Sequence, residues 1–389
     1  MTAIDDLPPQ NAHRSLALSN YIRKEMLLEK NQAMSFADFM ELALYHPEWG
    51  YYNAENSDLG KHGDFTTSPE ISPLFAKCLA RQIQQISSAC SFPSLLELGA
   101  GTGRLASDLL TELNSLRCLP SLYFIYEISP ALRKKQQALL QSTHPRIYSR
   151  IIWLDTLPEN FRGTIIANEV LDALPVHCFR MDENGPSEKY VAWENNQFIF
   201  KYLAAGKDLQ KEALRIPEAY ALPEGYEFEI NFHLPPFIAA LAASLNQGVI
   251  LFSDYGYGER EYYHPERRSG SLSCFYQHKQ YANPLIWPGL MDITAHVNFT
   301  RVIETAADHG LSLLGFTSQA AFLLSCGLTE FVLQEEKNLS ETEKFALHHA
   351  VKILTLPTEM GDRIKFMALG KGVELPLIGF RMQDRRRDL

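Results

Sequence analysis

Apolar residues in the middle of the chain change period across a glycine-rich turn. The run Leu95, Leu96, Glu97, Leu98 is strand-like, Gly99, Gly101 and Gly103 follow at alternate positions, and "RLASDLLTEL" from Arg104 resumes apolar residues at helical spacing. Strand and helix patterns then alternate. "LYFIYEISP" reads as a second strand, "SPALRKKQQALL" as a helix, "IIWLDTLP" as a third strand and turn, "GTIIANEVLDALP" as a fourth and "GVILFSDYGY" as a fifth. Such alternation predicts an α/β fold with a mostly parallel, doubly wound sheet, the glycine turn following its first strand. "LSLLGF" and "RIKFMALGK" are strand candidates able to complete that sheet.

The flanking segments follow other patterns. Residues 1–90 read as a helical preface, in which Ser35 and Asp38 form a capping pair before "FADFMELALY" and Pro47 ends the helix. A polar loop, "NAENSDLGKHGDF", precedes a further helix from Ile71. The core is expected over 91–180 and 246–371, interrupted by a β-rich region at 181–245 that is too long for an ordinary crossover. An aromatic, irregular stretch at 256–290 is expected to overlie a site, and 372–389 forms a charged tail.

Glycines at a strand-to-helix turn take positive φ and let a ligand lie against the main chain, where the helix start offers free N–H groups. The spacing bears on which ligand. A dinucleotide pattern beginning at Gly99 would need glycine where Arg104 stands; one beginning at Gly101 reaches Ala106, which its G/A variant permits, but ignores Glu97 and Gly99. Glu127 ends the second strand about 24 residues beyond Gly103. A carboxylate there can accept both hydroxyls of a ribose, in either class of nucleoside cofactor.

Composition narrows the partners. The chain has 389 residues, 46% of them hydrophobic, ample for one elaborated domain or two. With 46 acidic against 36 basic residues its net charge is −10, which disfavours a broad nucleic-acid-binding surface. Six scattered cysteines without a C-x-x-C pair fit a reducing compartment and no structural zinc. The start "MTAIDDLPPQ" is unlike a signal or transit peptide and no apolar run is long enough to span a membrane, so a cytoplasmic location is expected. Oligomeric state is left open, homo-oligomers included.

Four strings occur in order: "GDFTTSPEIS", "LELGAGTGR", "ANEVLDALPVHCF" and "PGLMDITAHVNF". Together they closely resemble the MidA-like family, and the E-x-G-x-G-x-G of Glu97 to Gly103 resembles motif I of class I S-adenosylmethionine methyltransferases. The resemblance runs from "SFADFMELALYHPEWGYY" to "RIKFMALGK", nearly the whole chain, although "EVLDALP" stands where a more aromatic string is usual. It implies a class I, Rossmann-like methyltransferase using S-adenosyl-L-methionine. It also implies a protein substrate with arginine favoured, since the family includes a mitochondrial arginine methyltransferase acting on a respiratory complex I subunit.

On that footing Gly99, Gly101 and Gly103 would cradle the cofactor, Glu97 orient its methionine end, Glu127 hold its ribose and Asp155 accept from its adenine amine; Asp155 reads equally as a turn acid. Asp64 and Ser68, in the "GDFTTSPE" loop, would cover its polar end, with Ser68 also expected as an N-cap before Pro69. Asn168, Glu169 and Asp172, after the fourth strand, are the candidate catalytic residues, because carboxylates are needed to orient a guanidinium that stays charged; a helix cap is the plainer account of Asp172 and a surface acid that of Glu169. Asp254, Tyr255, His278 and His296 are candidate substrate contacts, with a strand-end turn or loop as the simpler reading of the first three. Asp292 and His296, four apart, tempt one towards a metal site. No third ligand stands at a diagnostic spacing, so Asp292 is expected to be an N-cap and no metal is assigned. The rivals to a protein methyltransferase are a non-catalytic cofactor-binding assembly protein and a small-molecule methyltransferase.

Overall fold

The computed structural model describes residues 7–29, 31–53, 66–90 and 94–389. Helix α1 (Pro9–Leu28), strand β1 (Ala33–Ser35) and helix α2 (Phe36–Tyr45) open the chain, and α3 (Ser68–Ile71) and α4 (Pro73–Cys90) lead to its centre. There β2 (Ser94–Leu98), α5 (Arg104–Ser115), β3 (Leu122–Tyr126), α6 (Pro130–Thr143), β4 (Ile151–Leu154) and β5 (Phe161–Asn168) alternate. Next come β6 (His177–Asp182), β7 (Gly185–Glu194), β8 (Gln197–Ala204), α7 (Lys207–Tyr220), β9 (Glu227–Ile230), α8 (Leu234–Ser244) and β10 (Leu245–Tyr257). After α9 (Glu259–Tyr262), short strands β11 (Ser273–Tyr276), β12 (Lys279–Tyr281), β13 (Asp292–Thr294) and β14 (Val297–Asn298) precede α10 (Phe299–Asp308). The chain closes through β15 (Ser312–Ser318), α11 (Gln319–Ser325), α12 (Leu328–Glu335), α13 (Glu341–Thr355) and β16 (Ile364–Lys371).

The central sheet runs β15-β16-β10-β5-β2-β3-β4. Strands from β10 to β4 are parallel, and β16 and β15 close the other edge antiparallel. Side chains alternate between two helical layers, as a sheet covered on both faces requires. Leu95, Val249 and Leu251 pack with residues of α4, α5 and α13, while Leu96, Leu98, Ile250 and Phe252 pack with residues of α8 and α10. Because β2 is followed by β3 on one side and pairs β5 on the other, the connections diverge above the β2/β5 boundary. A crevice opens there, at the carboxyl ends of the strands.

The preface predicted for residues 1–90 is divided between two layers. Helix α4 buries Leu74, Phe75, Leu79 and Ile83 in the core of the central sheet. β1, in contrast, pairs antiparallel with β7, adding the strand Ala33–Ser35 to the inserted sheet formed by β6, β7, β8 and β9. Ser35 then caps α2: its Oγ accepts from the Asp38 N–H at 3.1 Å and donates to the Asp38 carboxylate at 2.6 Å. The 256–290 stretch, expected to be irregular, contains the β11–β12 hairpin, and β11 pairs with β13. The charged tail folds back, its Arg385 guanidinium 2.7 Å from Asp362.

Phe39 of α2 is fully buried, stacked on Phe36 at 6.1 Å and edge-on to Phe198 of β8 at 5.6 Å. These rings join the amino-terminal segment to the inserted sheet. Phe39→Ala is expected to destabilise the protein by about 3 to 5 kcal/mol in chemical denaturation, and a loss below about 1 kcal/mol would show that this seam does not contribute to global stability.

Candidate active site

The glycine turn begins where β2 ends. The Gly99 N–H donates to the Tyr126 carbonyl at 2.9 Å, tying the turn to β3, and Gly99, Gly101 and Gly103 have φ of 59°, 53° and 85°. A Cβ on Gly101 would meet no protein atom within 4 Å, whereas one on Gly103 would press on Gln136 at 3.3 Å. Gly101 therefore faces open space and Gly103 packs against α6. Buried Gln136 donates its single amide group to both the Gly101 carbonyl and the Glu127 Oε2, each at 2.9 Å, and so fixes the turn relative to that acid. A mid-helix glutamine carries no sequence signal for this task.

Above the turn lies a cavity of about 920 Å³. Glu97, Gly99, Gly101, Thr102 and Glu127 line one part of it. Glu127 Oε1 accepts from the Ser129 N–H at 2.9 Å. Glu97 accepts from the Tyr123 hydroxyl at 2.5 Å; burial outweighs that bond and, with Glu127 nearby, pushes its carboxyl up to about 7. Glu127 is raised as well, again chiefly by burial.

Asn168, Glu169, Asp172, Tyr255 and His296 line another part. Glu169 has φ of 52°, an uncommon conformation for a residue with a side chain, and its N–H donates to the Ser253 carbonyl at 2.8 Å. Its Oε1 accepts from the Ser68 N–H at 3.2 Å and the Asn168 amide at 3.1 Å. Burial, with a contribution from the charge of Asp254, nonetheless lifts it to about 8. Asp172 is raised well above the usual carboxylate range by burial and then by Asp254, Glu169 and Asp292. Burial also drives His296 down to about 4, helped by Arg267, Arg363 and Lys365.

Several expected contacts stand elsewhere. Asp254 is not on the cavity wall: its Oδ2 accepts from the N–H groups of Val170, Leu171 and Asp172 at 3.0, 2.8 and 3.4 Å, and so holds the loop after β5. Asp155 is ion-paired with Arg133 at 2.7 Å with 88% of its side chain exposed, away from the cavity. His278 is exposed in the turn between β11 and β12. Thr67, not Ser68, is the residue preceding α3; the Ser68 hydroxyl turns into the core and donates to Gln319 at 2.9 Å. Asp292 starts β13, and Asn298 caps α10 by accepting from the Arg301 N–H at 3.1 Å. Asp64 lies outside the described residues.

Other wall residues carry no motif in the sequence. Tyr45 and Tyr52, from the amino-terminal segment, stack at 5.4 Å on the cavity wall. The Tyr45 hydroxyl donates to the Ala173 carbonyl at 2.9 Å and that of Tyr52 to Asp292 at 3.1 Å. Glu70 accepts from the Thr102 hydroxyl at 2.5 Å, joining α3 to the glycine turn. The string "YHPEWGYY" held these tyrosines in view, but only the pairing of β1 with β7 brings them to the carboxyl ends of the central strands.

Residues 74–317 match the family described as "Putative S-adenosyl-L-methionine-dependent methyltransferase". A solved structure from Burkholderia thailandensis, bound to S-adenosyl-homocysteine, superposes with a TM-score of 0.93 at 35% identity, covering 98% of this chain and 99% of that one. A native structure from the same organism gives 0.91. Among named relatives, the mitochondrial protein arginine methyltransferase NDUFAF7 of Homo sapiens is 27% identical over 375 residues, 86% of this chain and 80% of its own. The Drosophila melanogaster homologue is 27% identical over 415 residues, 95% of this chain and 90% of its own. Among the described residues no helix is long and apolar enough to cross a membrane. The mitochondrial names of these relatives lend nothing to a cytoplasmic location. The bare main chain at Gly101 and the buried acid Glu127 fit the nucleoside cofactor whose demethylated product occupies the Burkholderia protein. From the glycine turn, the cavity above it and these similarities together, the chain belongs to the S-adenosyl-L-methionine-dependent methyltransferases.

Proposed function

We propose that the acceptor is the side chain of an arginine in a protein. The observation that carries this reading is the wall formed by the half-buried Glu169 and the buried Asp172 and Asp292, three carboxylates opening on one cavity. A guanidinium stays protonated at any physiological pH, so a site that receives one needs carboxylates held in place that can ionise against it. Asn168 adds an acceptor: its Oδ1 is buried and has no partner among the described residues, a cost that a guanidinium N–H would relieve. The names of the relatives support the same substrate.

S-adenosyl-L-methionine brings a methyl group on a sulfonium, whose departure needs no acid. The chain's own work is therefore to hold, orient and neutralise. Glu97, Glu127 and the glycine turn would hold the cofactor, with Gln136 keeping turn and acid in register. Glu169, fixed by the Ser68 N–H and the Asn168 amide, would orient the guanidinium. As the attacked nitrogen becomes substituted a proton must leave, and the raised proton affinity of Glu169 and Asp172 suits either to receive it. Tyr45 and Tyr52 would keep bulk water from this part of the cavity. Labelled S-adenosyl-L-methionine incubated with lysate, followed by identification of the modified residue, tests the reading; label confined to small molecules, or none at all, would reject it.

Three results are expected. Gly101→Val should abolish cofactor binding in calorimetry, because the new side chain projects into the cavity and φ of 53° is forbidden to a β-branched residue; unchanged affinity in a folded variant would remove the turn from the site. Glu169→Gln should lower single-turnover methyl transfer by about 30- to 1,000-fold, on the order of 2 to 4 kcal/mol of barrier, with cofactor affinity nearly intact. Full activity in both that variant and Asp172→Asn would place the acceptor elsewhere. The third concerns pH. Glu97, raised to about 7, is largely protonated at pH 6 and ionised at pH 9, so only at the higher pH does it attract the sulfonium charge that distinguishes the cofactor from its product. The ratio of S-adenosylmethionine to S-adenosylhomocysteine affinity should rise about three- to tenfold across that range, a difference of up to about 1.4 kcal/mol; a flat ratio would mean that this carboxylate does not sense the sulfonium.

A further inference from the structure

Beside the acceptor carboxylates the cavity wall changes sign. Burial above all, then Glu169, Asp172 and Asp254, raise the Tyr255 phenol, and Arg363 opposes them. Arg363 is an exposed wall residue whose guanidinium makes no hydrogen bond or ion pair with any described residue. The neighbouring carboxylates are otherwise engaged: Asp362 with Arg385 at 2.7 Å and with Lys365 at 3.4 Å, and Glu261 with Arg267 at 3.5 Å. Glu359, also on the wall, forms no ion pair with it.

Further cations stand behind the same wall. Arg267 lies over the Tyr257 ring at 3.9 Å, and the almost fully buried Lys365 approaches the same ring at 5.4 Å. Tyr257 meets His296 edge-on at 5.4 Å, and both rings line the cavity. After burial, Arg267, Arg363 and Lys365 all act to lower the pKa of His296, so the three cations bear on one ring.

The location separates this feature from the cofactor. Arg363 immediately precedes β16, and β10 and β5 stand between β16 and the glycine strand β2, about 14 Å at ~4.8 Å per strand spacing. Glu127 follows β3, on the far side of β2. The cationic wall thus lies on the acceptor side of β5.

We infer that Arg363, backed by Arg267 and Lys365, forms an anion subsite, and that the acceptor arginine belongs to a segment with an aspartate or glutamate close by. The inference rests on the arginine reading above and adds the chemistry of its surroundings. A purely cationic segment would be drawn to Glu169, Asp172 and Asp292 but repelled at Arg363; a segment carrying both signs satisfies both walls. Charge of this kind selects between sequences more than it adds raw affinity.

The test uses the full-length protein loaded with S-adenosyl-homocysteine and three peptide sets, with binding read by calorimetry. One set carries arginine with a glutamate placed one to four residues to either side, the second replaces that glutamate with glutamine, and the third keeps the glutamate but replaces arginine with norleucine. At low ionic strength the best glutamate peptide should bind about five- to tenfold more tightly than its glutamine counterpart, less at high salt, and Arg363→Gln should remove the difference while leaving S-adenosyl-homocysteine affinity unchanged. Equal binding of glutamate and glutamine peptides, or a preference that survives Arg363→Gln, would overturn the subsite alone. A glutamate preference undiminished by norleucine would uphold the subsite and reject arginine as the acceptor. Failure of every peptide to bind would overturn both.

Discussion

The site depends on one buried carboxylate. Asp254, at the end of β10, has one oxygen turned to the N–H groups of Val170, Leu171 and Asp172 and the other to the N–H of Tyr255 at 2.8 Å. Strand β5 ends at Asn168, and from there the chain must leave the sheet with its N–H groups unpaired inside the protein. Burying them without partners would cost several kcal/mol. The carboxylate answers three at once, and that satisfaction fixes the course on which Glu169 takes its left-handed conformation and Asp172 reaches the cavity. Burial still pushes Asp254 up to about 7, so even four backbone donors do not fully offset its removal from water.

The same loop is held from the other side by segments distant in sequence. Ser68 gives its N–H to Glu169, Tyr45 gives its hydroxyl to the Ala173 carbonyl, and the Asp172 carbonyl receives the Ala295 N–H at 2.9 Å. The amino-terminal helices and the segment after β13 therefore meet at one stretch of main chain. This explains why the additions to the central sheet are arranged as they are. β1 pairs with β7 and brings Tyr45 and Tyr52 over the loop, while β11 holds β13 so that Asp292 faces them. Parts that look like separate decorations in a linear reading close one cavity.

That also marks what the sequence could disclose. The parallel sheet and the glycine turn were legible because their signals are local: a change of apolar period at Leu98, alternate glycines, and a helix resuming at Arg104. Glu127 was legible because the acid and the turn are separated by a single crossover of standard length. Ser68 was misjudged by one position, since Thr67 and Ser68 are both ordinary caps and the chain's exit direction decides between them. Asp292 looked like a cap because D-x-x-x-H mimics a helical start, and only the pairing of β11 with β13 makes it a strand residue. Gln136, Tyr45 and Asp254 act through long-range hydrogen bonds, and nothing in their immediate neighbours in sequence distinguishes such a glutamine, tyrosine or aspartate from an ordinary one.

The charges around the cavity have a common logic. Glu97, Glu127, Glu169 and Asp172 are all raised first by burial, so each would gain from a nearby cation more than a solvated carboxylate would. Within the protein no such cation is ion-paired with them among the described residues. Arg133, near Glu127, spends its guanidinium on Asp155 and on the carbonyls of Glu127 and Leu154, and Arg267 and Lys365 lie against the Tyr257 ring and pair with Glu261 and Asp362. Carboxylates left in this condition are destabilising in the empty cavity, since each either binds a proton or carries a poorly solvated charge. The cost is reduced when positive charge arrives from outside, as a sulfonium does and as a guanidinium would. A fold that lines such a space with acids whose proton affinity is raised by burial favours cationic ligands over neutral ones of the same shape, and that preference comes from electrostatics already in place before any ligand binds.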